Sequence, residues 1–523
     1  MTDQSVISPL VFHKGGKMQD KADRTTHDEH TESSMFQGRP VSRRDFLRIA
    51  GISGATIGAG AGLGGLVAAC GGTATTTTAA STATTVGGST TTGVAASTTT
   101  VSGASTTTVS AAAEAGREIK IGLVAPKTGA LANFAVTVGY CTTRWEEFIG
   151  DGLVLGDGKK HPITIQTQDT QSSSDRASQV TSDLILNSKV DFVASYASPD
   201  TVIPVAVQAE TLGCPCLTTD CPMEPYYFRI KPPEGGYKWT YHIFWGNQEL
   251  IKTSLDLWKM IPTNKKIAGM WSNDVDGMAR RAALTPVIAD NGYTLVDGGP
   301  YNSGNEDYSS MISLFKKEGC EILVALANVP DFSNFWKQCY QQGFLAKINN
   351  VGKATLFSSS MEALGDIAYG VICGTASWTP AQPFKSSLTG ETCAQLADDF
   401  EAKTGKEWTN PLGHYVCAEM ALYAVKNATD PTDKNALIAA IETMKLDTIV
   451  GPVDFTAPLL SQDPAKMPTG PGRKTKNVYG IGLGGAQWQM AGGKWKFTEV
   501  LIDKSSAAFI PDEAITKVIP LAS

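Results

Sequence analysis

Histidine is scarce in this sequence, with six in 523 residues, and three of them (His13, His27 and His30) fall in a polar leader. No His-Glu-x-x-His and no Gly-x-Ser-x-Gly occurs, so the local patterns of zinc hydrolysis and of a serine nucleophile on a strand-to-helix turn are both missing. The remaining His161, His242 and His414 have no nucleophile-bearing loop beside them in sequence, and catalysis is not expected. The ten cysteines are spread too widely for a zinc site. Their densest group, Cys214-Pro215-Cys216 with Cys221, lacks a second pair and a nearby histidine. Neither a metal nor another cofactor is expected. Long Lys/Arg runs are lacking too, and a net charge of −7 with 18% charged residues offers no basic face for phosphate contacts. Nucleic acid is therefore not an expected partner.

What is there begins with an address. Ser42-Arg43-Arg44-Asp45-Phe46-Leu47-Arg48 resembles the twin-arginine export motif, with Arg43 and Arg44 as its pair, and a stretch without charges runs from Ile49 to Cys70. Val67-Ala68-Ala69-Cys70-Gly71 resembles a bacterial lipobox, a pattern in which the cysteine is acylated and becomes the mature N-terminus. An uncharged stretch of this length could also span a membrane, but its many glycines weaken a helix. Residues 1–70 thus read as the leader of a lipoprotein exported by the twin-arginine route, extracytoplasmic and held to the cell membrane through Cys70. Nine cysteines remain in a compartment that permits disulfides, and sequence alone does not pair them. Gly60-x-Gly62-x-x-Gly65, formally a dinucleotide fingerprint, follows no strand and is discounted.

Residues 71–116 are mostly Thr, Ala, Ser, Gly and Val. Such a composition buries too little surface to fold and reads as a disordered tether. From 118 onward, apolar strands alternate with amphipathic helices, first in 118–219 and again in 249–342. That alternation implies βαβ crossovers and parallel sheets, with strand ends that deliver polar loops. The run 191–201, where Phe192-Val193-Ala194-Ser195 breaks into Tyr196-Ala197-Ser198-Pro199, is the best-defined such loop. Between the two alternating regions, 226–245 reads as an aromatic, proline-rich crossing. Further on, 355–360 and 370–378 read as strands, and 391–404, 412–428 and 435–444 as helices. Gly480-x-Gly482-x-x-Gly485 is followed by alternating residues that suit a hairpin, so no helix N-terminus is expected there for a phosphate.

In this order the elements resemble the type 1 periplasmic binding proteins, and among them the branched-chain amino acid (leucine/isoleucine/valine) and amide receptors of ABC importers. The resemblance is carried by Ile119-Lys120-Ile121-Gly122-Leu123-Val124-Ala125-Pro126-Lys127-Thr128-Gly129, by 193–204, by Gly213-Cys214-Pro215-Cys216-Leu217-Thr218-Thr219, and by Asp447-Thr448-Ile449-Val450-Gly451-Pro452-Val453-Asp454-Phe455. It implies an α/β fold of two doubly wound lobes with a hinge and an interlobe ligand cleft. The lobes would comprise 117–245 plus 378–475 and 246–377 plus 476–523, with crossings near Trp245, Trp378 and 474–478.

The resemblance also implies a ligand set. Ser198, with the adjacent helix N-terminus, would bind a ligand carboxylate, and Thr218, Thr219 and Asp220 would supply the next loop. Asp276 and Asn328 would come from the second lobe. Ser360 and Glu362 fall near an acidic position that pairs with a ligand ammonium, and Phe134, Trp245 and Trp378 complete the candidate contacts. Ser198 and Asp276 could instead cap helices, and Thr218 could pack in a strand. The aromatics Tyr226, Tyr227, Phe228, Tyr237, Trp239, Tyr241, Phe244 and Trp245 exceed what branched-chain receptors require; they either favour a flat or apolar ligand, or a cationic one over the ring faces, or pack the crossing. The implied function is a monomeric solute-binding lipoprotein that hands a small amino acid, amide or related carboxylate to an ABC permease. A sensory receptor of the same fold, or an extracytoplasmic hydrolase, would be the alternative.

Overall fold

The computed structural model describes residues 113–229, 232–461 and 468–521. The leader, with Arg43, Arg44, Cys70 and the 60–65 glycines, and nearly all of the tether lie outside them. Among the described residues no helix is long and apolar enough to cross a membrane.

Two seven-stranded sheets organise the chain. The first runs in the order Gly472–Thr475, Val478–Gly480, Thr240–Ile243, Cys216–Thr219, Phe192–Ser195, Ile119–Ala125, Ile163–Asp169. All neighbours are parallel except the first pair. Such strands are buried on both faces. Phe192 and Ala194 pack with helices Ala135–Ile149 and Val416–Asn427, whereas Val193 between them packs with Ser174–Leu186 and Pro199–Leu212.

The second sheet has the order Phe497–Ser506, Leu483–Met490, Ile372–Ala376, Ile348–Lys353, Ile322–Ala327, Lys266–Ser272, Thr294–Tyr301. Its last five strands are parallel, and Leu483–Met490 joins antiparallel. Leu323 and Ala325 face Phe335 and Trp336 of helix Val329–Gln342. Ile322 and Val324 face Leu284 and Ile288 of helix Val275–Asp290.

Several elements differ from the reading of the sequence. The crossing at 226–245 contains helix Met223–Arg229 and strand Thr240–Ile243. Its aromatics hide that strand because they are used for packing: Tyr226 stacks on His242 at 4.1 Å, and the Tyr241 hydroxyl donates to Glu442 at 2.8 Å. Residues 355–360 form no strand. They belong to a 3-10 turn, Ala354–Leu356, and to helix Ser358–Leu364, while the strand lies just before, at Ile348–Lys353. Its buried Asn349 and Asn350 mask it, and the amide N–H of each finds an acceptor, Ala346 O three residues back for Asn349 and the distant Ser254 Oγ for Asn350. Val478–Gly480 pairs in the first sheet, so the third crossing falls between Gly480 and Leu483, later than 474–478. The hairpin Leu483–Met490 with Phe497–Ser506 occupies the second glycine pattern, where no helix begins. All nine described cysteines are buried and free.

Candidate functional site

A cavity forms where strand ends of both sheets converge. It holds about 830 Å³ of space not filled by atoms, counting that which opens to solvent, of which about 60 Å³ is free to the centre of a water-sized sphere. The first sheet contributes Ser198, Thr219, Asp220, Phe244 and Trp245; the second contributes Asp276, Arg280, Leu326, Lys353 and Thr375. Phe134 and His414 close one wall. Carboxyl ends of parallel strands are where helix N-termini and loop polar groups stand free for a ligand, which accounts for this convergence.

The loops that carry the site are strained. Ala197 (φ 74°), Ser198 (φ 78°), Asp220 (φ 61°) and Lys353 (φ 63°) are non-glycine residues at positive φ, each costing about 1–3 kcal/mol that the surrounding fold must offset. The Ser198 N–H donates to the Asp220 carbonyl at 3.0 Å, tying two of these loops together. Pro199, whose fixed φ suits the first helical turn, then starts helix Pro199–Leu212. The Ser198 hydroxyl does not cap that helix and instead donates to Asp200 at 3.4 Å. Asp220 holds His414 Nε2 at 2.7 Å, and the imidazole is sandwiched between Tyr196 at 4.4 Å and Phe134 at 5.7 Å. His414 Nδ1 is buried without a partner among the described residues.

Across the cavity lies a charged cluster. Asp274 caps helix Val275–Asp290 by accepting from the Gly277 N–H at 2.7 Å. Asp276, free of that duty, pairs with Lys353 at 3.2 Å, while Asp274 stands 3.9 Å from the same ammonium. Burial alone would lower the Lys353 pKa, but Asp276, Asp274 and Asp200 together hold it above the ordinary lysine value. Burial raises both Asp276 and Asp200, with Lys353 acting in the opposite sense. The Val275 backbone amide also favours the charged form of Asp200, and this carboxylate of the first lobe stands beside the start of helix Val275–Asp290 in the second. Among the described residues no group of His, Cys, Asp or Glu is arranged to hold a metal ion.

Of the residues singled out in sequence, Phe134, Ser198, Thr219, Asp220, Trp245 and Asp276 line the cavity. The Thr219 hydroxyl is committed to the Ile243 carbonyl at 2.8 Å. Five others are placed elsewhere. The Thr218 hydroxyl lies 2.8 Å from His242 Nδ1, beneath the strand end. Asn328 stands at the start of helix Val329–Gln342, outside the lining. Ser360 and Glu362 sit on helix Ser358–Leu364, Ser360 turned into the protein and Glu362 to solvent. Trp378 is buried behind Gly413, its indole N–H donating to Ile449 O at 3.1 Å. Of the aromatic crossing, only Phe244 and Trp245 reach the lining. Sequence reasoning missed Arg280, Lys353 and His414. Arg280 follows Asp276 by one helical turn, and nothing local marks it as different from a surface arginine.

A family model described as a periplasmic binding protein matches residues 118–462. Among solved structures, a leucine-binding protein, LivK, from Thermotoga maritima is similar in fold at 14% identity, with 74% of this chain and 99% of that one covered and a TM-score of 0.57. A solute-binding protein of an ABC transporter from Rhodopseudomonas palustris, in complex with 3,4-dihydroxybenzoic acid, gives 18% identity, 74% and 98% coverage, and a TM-score of 0.56. LivJ from Streptococcus pneumoniae, in complex with isoleucine, gives 15% identity, 74% and 99% coverage, and a TM-score of 0.56.

Proposed function

Because this chain belongs to the periplasmic binding protein family, we propose that it is the solute-binding component of an ABC importer, gripping a small amino acid, amide or related carboxylate between its lobes. The observation that carries this reading is the convergence of strand-end loops from both sheets on one cavity. A ligand there touches both lobes at once, so its differential affinity favours the closed arrangement. Leucine, isoleucine and 3,4-dihydroxybenzoic acid, named for the similar structures, support a small organic acid as the cargo. On this reading Ser198, Asp220 and Asp276 make polar contacts, and Phe134 and Trp245 cover the apolar part.

Calorimetry and thermal-shift measurements against amino acids, their amides and aromatic acids should find at least one ligand of micromolar affinity or tighter. At a ligand concentration a hundred times Kd, stabilisation of about 2.7 kcal/mol is expected. A panel without any binder, together with turnover of one of its members, would refute the receptor reading.

The same proposal makes the chain a monomeric lipoprotein, exported through Arg43 and Arg44 and held at the membrane by acylated Cys70, from which residues 71–116 extend it toward its permease. After fractionation, Cys70→Ser should move the protein from the membrane to the soluble pool. Retention as an integral membrane protein would indicate a spanning helix in its place.

A further inference from the structure

Arg280 is a buried cation that forms no ion pair among the described residues. Its side chain lines the cavity and is 4% exposed, yet Nε and Nη2, the edge whose spacing matches two carboxylate oxygens, have no acceptor among the described residues. The nearest carboxylate along its own helix, Asp276, is taken by Lys353 at 3.2 Å, and Lys353 also draws on Asp274. Burial pushes the guanidinium down to about 10, with Asp276 acting only partly against it, so Arg280 stays charged at neutral pH. The fold makes room for it: a Cβ at Gly352, on strand Ile348–Lys353, would come within 2.8 Å of Arg280 Nη1. A charge brought out of water and left unpaired is expensive, and in a binding cavity the missing partner is most simply the ligand's own.

We propose that Arg280 receives a carboxylate of the ligand, so that the solute is an organic acid with a single carboxylate and an apolar body. The assignment rests on the solute-binding reading above and relocates the anion from the first lobe to the second. At Ser198 an anion would meet Asp200, which already accepts from the serine hydroxyl at 3.4 Å. A dianion such as phosphate is disfavoured by Asp220 and Asp276, both in the lining. Phe134, Phe244, Trp245 and Leu250 supply the apolar surface for the remainder of the molecule.

The test compares matched pairs by calorimetry: leucine with leucinamide, benzoate with benzamide, and 3,4-dihydroxybenzoate with its amide. Each pair is titrated into the full chain, Arg280→Met, Arg280→Lys and Ser198→Ala. The unaltered protein should bind at least one acid about a hundredfold more tightly than its amide, the loss expected when a buried charge is left unpaired. Arg280→Met should lower the acid to the level of the amide. Arg280→Lys should keep a reduced preference, because it retains the charge but not the planar pair of donors. Ser198→Ala should weaken acid and amide together. Amide binding equal to the acid in the unaltered protein, or discrimination that survives Arg280→Met, overturns the assignment while leaving the receptor reading standing. A panel-wide blank overturns both. Without ligand, Arg280→Met should unfold at the same temperature or higher, since no partner is lost. A lower midpoint with discrimination intact would make Arg280 a residue of the fold and overturn the assignment.

Discussion

Replacing Lys353 by methionine should cost the fold about 3 kcal/mol, the low end for breaking a buried ion pair because the Asp276 side chain keeps some exposure. The ammonium at position 353 neutralises a cluster contributed by two lobes: Asp276 at 3.2 Å, Asp274 at 3.9 Å, and Asp200 from the opposite side. Without it three carboxylates face one another with only Arg280, beside Asp276, to offset them. Asp276, already above its ordinary value because of burial, would rise further, and a carboxyl whose folded pKa is raised stabilises the fold most when pH is low. The deficit of Lys353→Met should therefore shrink as pH falls toward 4. Adding Asp276→Asn should restore part of the loss at neutral pH. Chemical unfolding at pH 7 and pH 4.5 checks both statements, and an equal deficit at the two values would mean that packing, not charge, is what the methionine disturbs.

Glu499→Gln should act in the opposite direction. Glu499, on strand Phe497–Ser506, is buried, and burial pushes its carboxyl up to about 8, with Cys373 pulling weakly down and Glu407 pushing up. Burial raises Glu407 to about 8 as well. In the unfolded chain these groups ionise at the ordinary glutamate value. Between pH 4.5 and 8 the folded protein therefore holds a proton that the unfolded chain has released. The stability tied to that proton is complete below pH 4.5 and lost as pH rises through 8, at about 1.4 kcal/mol per pH unit for each group. An uncharged glutamine carries no such dependence. The substitution should raise unfolding free energy on the order of 4 kcal/mol at pH 8 and leave it unchanged near pH 4.5. A gain that is the same at both values would show that the native carboxyl is not held protonated.

The fold was legible wherever burial on both faces left an uninterrupted apolar run. Ile322-Leu323-Val324-Ala325-Leu326-Ala327 forms a strand over the span its residues suggest, because a central parallel strand has no solvated side on which to place polar residues. Ile348–Lys353 is just as buried but carries Asn349 and Asn350, whose partners Ala346 and Ser254 are invisible to any local pattern. Thr240–Ile243 was hidden for a related reason, since its rings and hydroxyl serve contacts with distant elements.

At the site, strand ends were legible and side-chain duties were not. Ser198, Asp220 and Asp276 stand at loops that an alternating α/β pattern identifies as ligand-facing, and they line the cavity. Trp378 and Thr218 lie one residue from lining positions, Ser377 and Thr219, and turn the other way because neighbours in an extended chain alternate. Arg280 and Lys353 gain meaning from what surrounds them in three dimensions: one has two donor nitrogens with no acceptor among the described residues, the other stands among three carboxylates. No spacing along the chain encodes that difference.

The largest apolar cluster does not respect the division into two sheets. It runs from Ile121, Leu123 and Phe192 of the first, through Phe244, Trp245 and Leu250 at a crossing, to Cys373, Ala376, Leu483 and Ala486 of the second. Neither lobe is a contiguous stretch of chain, and although the second has clusters of its own around Phe335 and Leu284, the largest cluster is shared between the two. The pair should consequently melt as one cooperative unit. Stabilisation gained at the cavity is then distributed to strands far from it, and an excised lobe would expose half of a core with nothing left to cover it.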